Sequence, residues 1–185
     1  MIYPIVAYGD PVLKKKAVEI DKKYPKLDEI IANMFETMYE SSGVGLAAPQ
    51  IGLSIRLFIV DGEPFEDDDV RDFKQVFINP IITEEAGDPW KFNEGCLSIP
   101  NVREDVQRKE EVHIEYYDEN WKLHKKTYDG ITARIIQHEY DHIEGILFTD
   151  RISPLRRRLL KNKLNDISMG KVDVDYKMKF PAKGR

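Results

Sequence analysis

The residues in this chain best suited to chemistry lie in the segment Gln137-His138-Glu139-Tyr140-Asp141-His142. On a helix, positions i and i+4 share one face, so His138 and His142 can converge on a single ion. Glu139 lies roughly 100° round from His138. It is better aimed at a water beside the ion than at the ion itself, as water activation requires. Two histidines at this spacing also arise by chance on ordinary helices. The apolar neighbours Ile135, Ile136, Tyr140 and Ile143 argue for burial. Buried His, Glu and Asp side chains need partners, and a metal would offset their desolvation.

A catalytic metal also needs a third protein ligand and an open position. The pattern H-E-x-x-H-x-x-G-x-x-H of one protease class continues here through Gly145, but Phe148 stands where its last histidine would be. Phenylalanine cannot bind a metal. A zinc endopeptidase with a downstream carboxylate ligand remains the rival reading, since Glu144 and Asp150 follow. A structural, non-catalytic metal is a further alternative, yet such sites are closed by a fourth protein ligand and none is evident. The remaining soft donor is Cys96, in Glu94-Gly95-Cys96-Leu97-Ser98-Ile99-Pro100. A lone cysteine is more often a small buried hydrophobe. With two histidines it completes a set suited to ferrous iron or zinc. The loop Gly43-Val44-Gly45-Leu46-Ala47-Ala48-Pro49-Gln50 lacks a Gly-Lys-Ser/Thr ending and precedes a strand, which excludes a phosphate loop. Gln50 carries an amide that can donate to a developing oxyanion.

The elements that must position these groups are partly legible. Leu27, Ile30, Ile31, Met34, Phe35 and Met38 repeat with the helical period, predicting an amphipathic helix over residues 25–40. The apolar run 55–60 suits a buried strand, 75–82 a second, and 112–117 with 121–128 a hairpin. Residues 62–72 are strongly acidic and predict an exposed loop. Asp129 should cap a helix over residues 130–144, stopped by Gly145, and Ser153-Pro154 should open another. The expected fold is α+β: a single domain of mostly antiparallel strands around a central H-E-x-x-H helix, flanked by N-terminal and C-terminal helices. The domain spans residues 1–170, and residues 171–185 form a tail expected to fray.

With 185 residues the chain fits one domain. Its net charge of -5 gives no reason to expect DNA as a partner. The single cysteine excludes an intrachain disulfide. No leader-like N-terminus and no run approaching the roughly 18 apolar residues of a spanning helix are visible, so a cytoplasmic protein without membrane contact is expected.

The segments 43–50, 94–98 and 137–142 match, in order, the motifs G-x-G-x-A-A-P-Q, E-G-C-L-S and Q-H-E-x-D-H, and together they resemble the peptide deformylases. Asp10-Pro11-Val12-Leu13 is similar to that family's opening. The resemblance implies removal of the formyl group from the N-terminal formylmethionine of new polypeptides, with release of formate. It implies one divalent metal on Cys96, His138 and His142, with Fe2+ as the physiological ion and Zn2+, Ni2+ or Co2+ able to replace it. Glu139 would move the proton, and Gln50 with the Leu97 backbone N–H would meet the oxyanion. Arg108 is the partner it suggests for Asp141, and Glu94 would bond the site from the other side. The peptide would add as a strand near Val44–Gly45 and Gly95–Leu97. Its methionine side chain would enter a pocket of Val44, Ile131 and Ile135, with His138 at the base and Phe92 contributing. The C-terminal helix carries Arg156, Arg157, Arg158, Lys161 and Lys163. That is either a solvated basic face or, since some relatives dock such a helix on the ribosome, a docking element.

Overall fold

A computed structural model describes residues 1–181. The elements in chain order are β1 (Ile5–Val6), α1 (Leu27–Glu40), β2 (Gly45–Ala47), β3 (Leu57–Asp61), α2 (Asp68–Arg71), β4 (Lys74–Cys96), β5 (Ile99–Tyr117), β6 (Leu123–Asp129), α3 (Gly130–Ile143), α4 (Pro154–Ser168) and β7 (Met178–Lys179). β2 to β6 form an antiparallel sheet in the order β2-β3-β4-β5-β6, which leaves β2 at an edge. β1 and β7 pair in parallel as a second, two-stranded sheet. The architecture is a single α+β domain, with α3 packed on β2, β3, β5 and β6.

α1 buries Ile31, Met34 and Met38 on the stripe that the sequence period marks. These residues share a core with Leu46, Leu57, Ile59, Val76 and Ile78. α3 places Ala133, Ile136 and Ile143 against Phe58, Phe77, Val112 and Ile114. A third cluster joins Ile99, Val102 and Val106 of β5 to Leu164 and Ile167 of α4. α3 stops where Gly145 takes φ +75°, at a position where a Cβ would lie 2.6 Å from the Lys14 carbonyl oxygen. Ser153 Oγ accepts from the Arg156 N–H and opens α4.

Four expectations require correction. Residues 83–111 carried no strand assignment, yet they lie in the long β4–β5 hairpin, broken in register between Ile78/Ile81, Ile82/Glu84, Ala86/Pro89 and Gly95/Cys96. Pro89 and Gly87, the local breakers, sit at one of those irregularities. Asp129 occupies the N-cap of α3, but its side chain makes no capping hydrogen bond. The acidic loop contains α2, capped by Asp67 and anchored by buried Val70. The tail does not fray through residue 181: Met178–Lys179 pair with Ile5–Val6, and Val172, Val174, Tyr176, Met178 and Phe180 are half-buried in alternation with exposed residues. Residues 182–185 of that tail lie outside the described residues.

Candidate metal centre and active site

Cys96 ends β4, at the tip of the hairpin, while His138 and His142 sit one turn apart on α3. The Cys96 Sγ and a ring nitrogen from each histidine all lie within 4.8 Å of one another. The Cys96 Sγ is 3.3 Å from His142 Nε2. His138 Nδ1 donates to Glu94 Oε1 at 2.8 Å, which orients the ring and leaves Nε2 for the shared centre. Burial, before any other cause, holds the His142 pKa well below its ordinary value, which favours the neutral imidazole that can donate a lone pair. A thiolate and two imidazoles converging at this spacing, with no fourth protein donor among the described residues, fit a catalytic divalent metal with a free position.

Glu139 is buried on the same turn, and its Oε2 has no hydrogen-bond partner. An unpartnered carboxylate oxygen is costly to bury and points to a ligand it awaits. Burial raises its pKa to about 7, with His138 pulling the other way. A carboxylate tuned to that range exchanges protons readily near neutral pH. Gly45 packs directly on it: a Cβ at that position would lie 2.5 Å from Glu139 Oε1. This is why the loop needs glycine there.

Gln50 is 2 % exposed. Its Oε1 accepts from the Ala47 N–H at 3.0 Å, and its Nε2 donates to Cys96 Sγ at 3.5 Å and Ser98 Oγ at 3.3 Å. The amide is therefore locked with its donor end at the metal centre. Leu97 lies beside it, at the hairpin tip.

Below these groups is a buried ionic network. Arg108 donates to Glu94 through Nε at 2.8 Å and to Asp141 through a terminal nitrogen at 2.7 Å. Burial alone would raise the Glu94 pKa, but hydrogen bonds from His138 and Arg108 outweigh it and hold the carboxyl well below the usual range. Two arginines escaped the sequence reading. Arg134 bonds Glu94 Oε2 at 2.8 Å and also stacks on Trp90, and Arg151 bonds both oxygens of Asp141. Arg134 precedes His138 by one helical turn on a face already marked as buried. A buried arginine there demands a carboxylate, and that demand was the available signal.

A cavity of about 760 Å³ opens over the centre. Val44, Gly45, Gly95, Leu97, Ile135, Phe92, His138 and Glu139 line it, together with Phe65 and Tyr176, which the sequence reading missed. Ile131, a turn before Ile135, is half-buried against the same core cluster as Val44, Phe65 and Ile135. Among the described residues no helix is long and apolar enough to cross a membrane.

An α+β scaffold that presents a buried glutamate beside a Cys/His/His centre defines a metal-dependent hydrolase. The model of the polypeptide deformylase family matches residues 2–158. The peptide deformylase of Christiangramia forsetii is 61 % identical over 190 residues, covering 98 % of this chain and 97 % of its own. That of Flavobacterium johnsoniae is 56 % identical over 196 residues, covering all of both chains. Among solved structures, a peptide deformylase from Legionella pneumophila superposes with a TM-score of 0.80 at 37 % identity, covering 92 % of this chain and 98 % of its own. The chain belongs to the peptide deformylase family. It is a metal-dependent amide hydrolase, not an endopeptidase of the H-E-x-x-H type.

Proposed function

We propose that this chain removes the formyl group from the N-terminal formylmethionine of newly made polypeptides and releases formate, through the residues described above. The observation that supports this most is the convergence of Cys96, His138 and His142 within 4.8 Å, beside a buried carboxylate and under one cavity. These three residues would hold one divalent ion: Fe2+ physiologically, with Zn2+, Ni2+ or Co2+ able to take its place. Such an ion, when bound, lowers the pKa of water toward about 7 and withdraws electron density from the formyl carbonyl.

The protein's own groups do the rest. Glu139, which lines the cavity and has one buried oxygen without a partner, takes the proton of the attacking water and delivers one to the leaving amine. The Gln50 side-chain N–H and the Leu97 backbone N–H receive the oxyanion. The free edge of the sheet at β2 accepts the peptide as an added strand along Val44 and Gly45, opposite Gly95. Val44, Ile135 and Phe92 surround the methionine side chain, with His138 beneath. Glu94, Arg108 and Asp141 hold His138 and α3 in place from below.

The experiment is release of formate from formyl-Met-Ala by the metal-loaded chain. Formate with no cleavage of internal peptide bonds is the expected result; internal cleavage without formate overturns the reading.

Docking on the ribosome through α4 belongs to the same reading. Arg156 already pairs with Glu104, Arg157 donates to the carbonyls of Thr149 and Asp150, and Lys163 to that of Asn101. Much of the basic face therefore serves to seat the helix on its own domain. Leu155 and Leu159, a turn apart and exposed, remain available with Arg158 and Lys161. Loss of ribosome co-sedimentation in a chain ending at Asp150 is the expected outcome.

A further inference from the structure

The segment after α4 plays no part in the chemistry above, yet it reaches the active site. Gly170, at φ +75°, turns the chain back, and β7 closes it against β1. Between these points Asp173, Val174, Asp175 and Tyr176 form one wall of the cavity over Cys96. The strap is tied on both sides of Tyr176. The Asn101 side chain donates to the Asp173 carbonyl at 3.1 Å, and the Ile5 N–H donates to the Lys177 carbonyl at 2.8 Å.

Held in this way, the Tyr176 hydroxyl donates to the Leu97 carbonyl at 2.7 Å. Leu97 and Ser98 lie between the ends of β4 and β5, where the sheet ladder no longer fixes the backbone. The pair Cys96–Ile99 closes this two-residue turn, and which conformation the turn keeps depends on the further contacts its own carbonyls and side chains make. The Ser98 side is held by Gln50 on Oγ and by the Tyr8 N–H on the carbonyl. The Leu97 carbonyl is held by Tyr176.

We propose that Tyr176 is a positioning residue for the hydrolysis: its hydroxyl fixes the Leu97–Ser98 peptide plane at the Leu97 carbonyl, and so holds the two-residue turn in the one conformation that presents the Leu97 N–H of the adjoining peptide to the oxyanion. This rests on the reading of Leu97 as an oxyanion donor. An oxyanion donor acts only when its direction is fixed before charge develops. A loosened tip therefore costs turnover more than binding.

The test compares wild type, Tyr176→Phe and Gln50→Leu, with steady-state kinetics on formyl-Met-Ala, metal content and thermal midpoint for each. Tyr176→Phe keeps the ring and removes the hydroxyl. It should lower kcat about three- to tenfold, the scale of one neutral hydrogen bond, with KM and metal content unchanged and the thermal midpoint lower by only about 2 to 4 °C. Unaltered kcat contradicts the clamp. So does a loss of kcat that tracks an equal loss of metal, which would mark a purely structural contact. Wild type that releases no formate removes the deformylase reading and the clamp with it. Formate release that is crippled in Gln50→Leu but normal in Tyr176→Phe removes the clamp alone.

Discussion

At the scale of single residues, Gln50 and Glu139 carry different loads, and their substitutions should separate. Gln50 uses one end of its amide on the Ala47 N–H and aims the other at Cys96 and Ser98. Leucine keeps the volume and loses the donor. Gln50→Leu should lower turnover on the order of 10² to 10³, measured as kcat, by analogy with other oxyanion donors. Glu139 contributes no atom to the ligand set, so Glu139→Ala should retain its metal and lose nearly all turnover. Metal analysis beside the formate assay decides this, and co-loss of metal would make Glu139 a structural residue. Glu139 stands out in the sequence because it lies between two histidines at helical spacing, and Gln50 because it is the one amide closing a loop of small residues. Arg134 and Arg151 do not, since nothing in a linear pattern says which carboxylate a buried guanidinium will meet.

Elements differ in how visible they were. α1 and α3 announce themselves by apolar spacing and by Gly145. The β4–β5 hairpin does not, because its strands are held by pairing across the hairpin, and its outward faces are full of charge. The strap from residue 172 to residue 180 did carry a signal: Val172, Val174, Tyr176, Met178 and Phe180 alternate with polar residues, the two-residue period of a strand. The meeting of β2 with α3 yields an element-scale test. Any side chain at Gly45 must displace the Glu139 carboxylate. Gly45→Ala should therefore fold and bind metal while kcat falls about 10²-fold, the cost of misplacing a reacting group by about 1 Å. Wild-type kcat in that variant would mean that the carboxylate is not held by this contact.

At the scale of the molecule, the Glu94–Arg108–Asp141 network ties the hairpin to α3, so stability should follow its charge. Glu94 is buried and its carboxyl is held well below the usual range. Its folded-state pKa lies under the unfolded value of about 4.3, so its stabilisation is fully present above that pH and disappears as pH falls toward the folded value. Glu94→Gln leaves Arg108 and Arg134 facing a neutral amide, which should cost about 3 to 5 kcal/mol at pH 7. Denaturation across pH should show the gap between wild type and variant narrowing below about pH 4.3. A gap that stays constant in acid would mean that the Glu94 charge is not what stabilises the network.

The central claim is that one ion on Cys96, His138 and His142 makes this fold a deformylase. Anaerobic titration of metal-free chain with Fe2+, following formate release from formyl-Met-Ala, tests it most directly. Activity should rise linearly and saturate at one equivalent per chain, and the Cys96→Ala chain should neither hold the ion nor turn over. Full formate release before any metal is added, or unchanged saturation in the Cys96→Ala chain, would contradict the account.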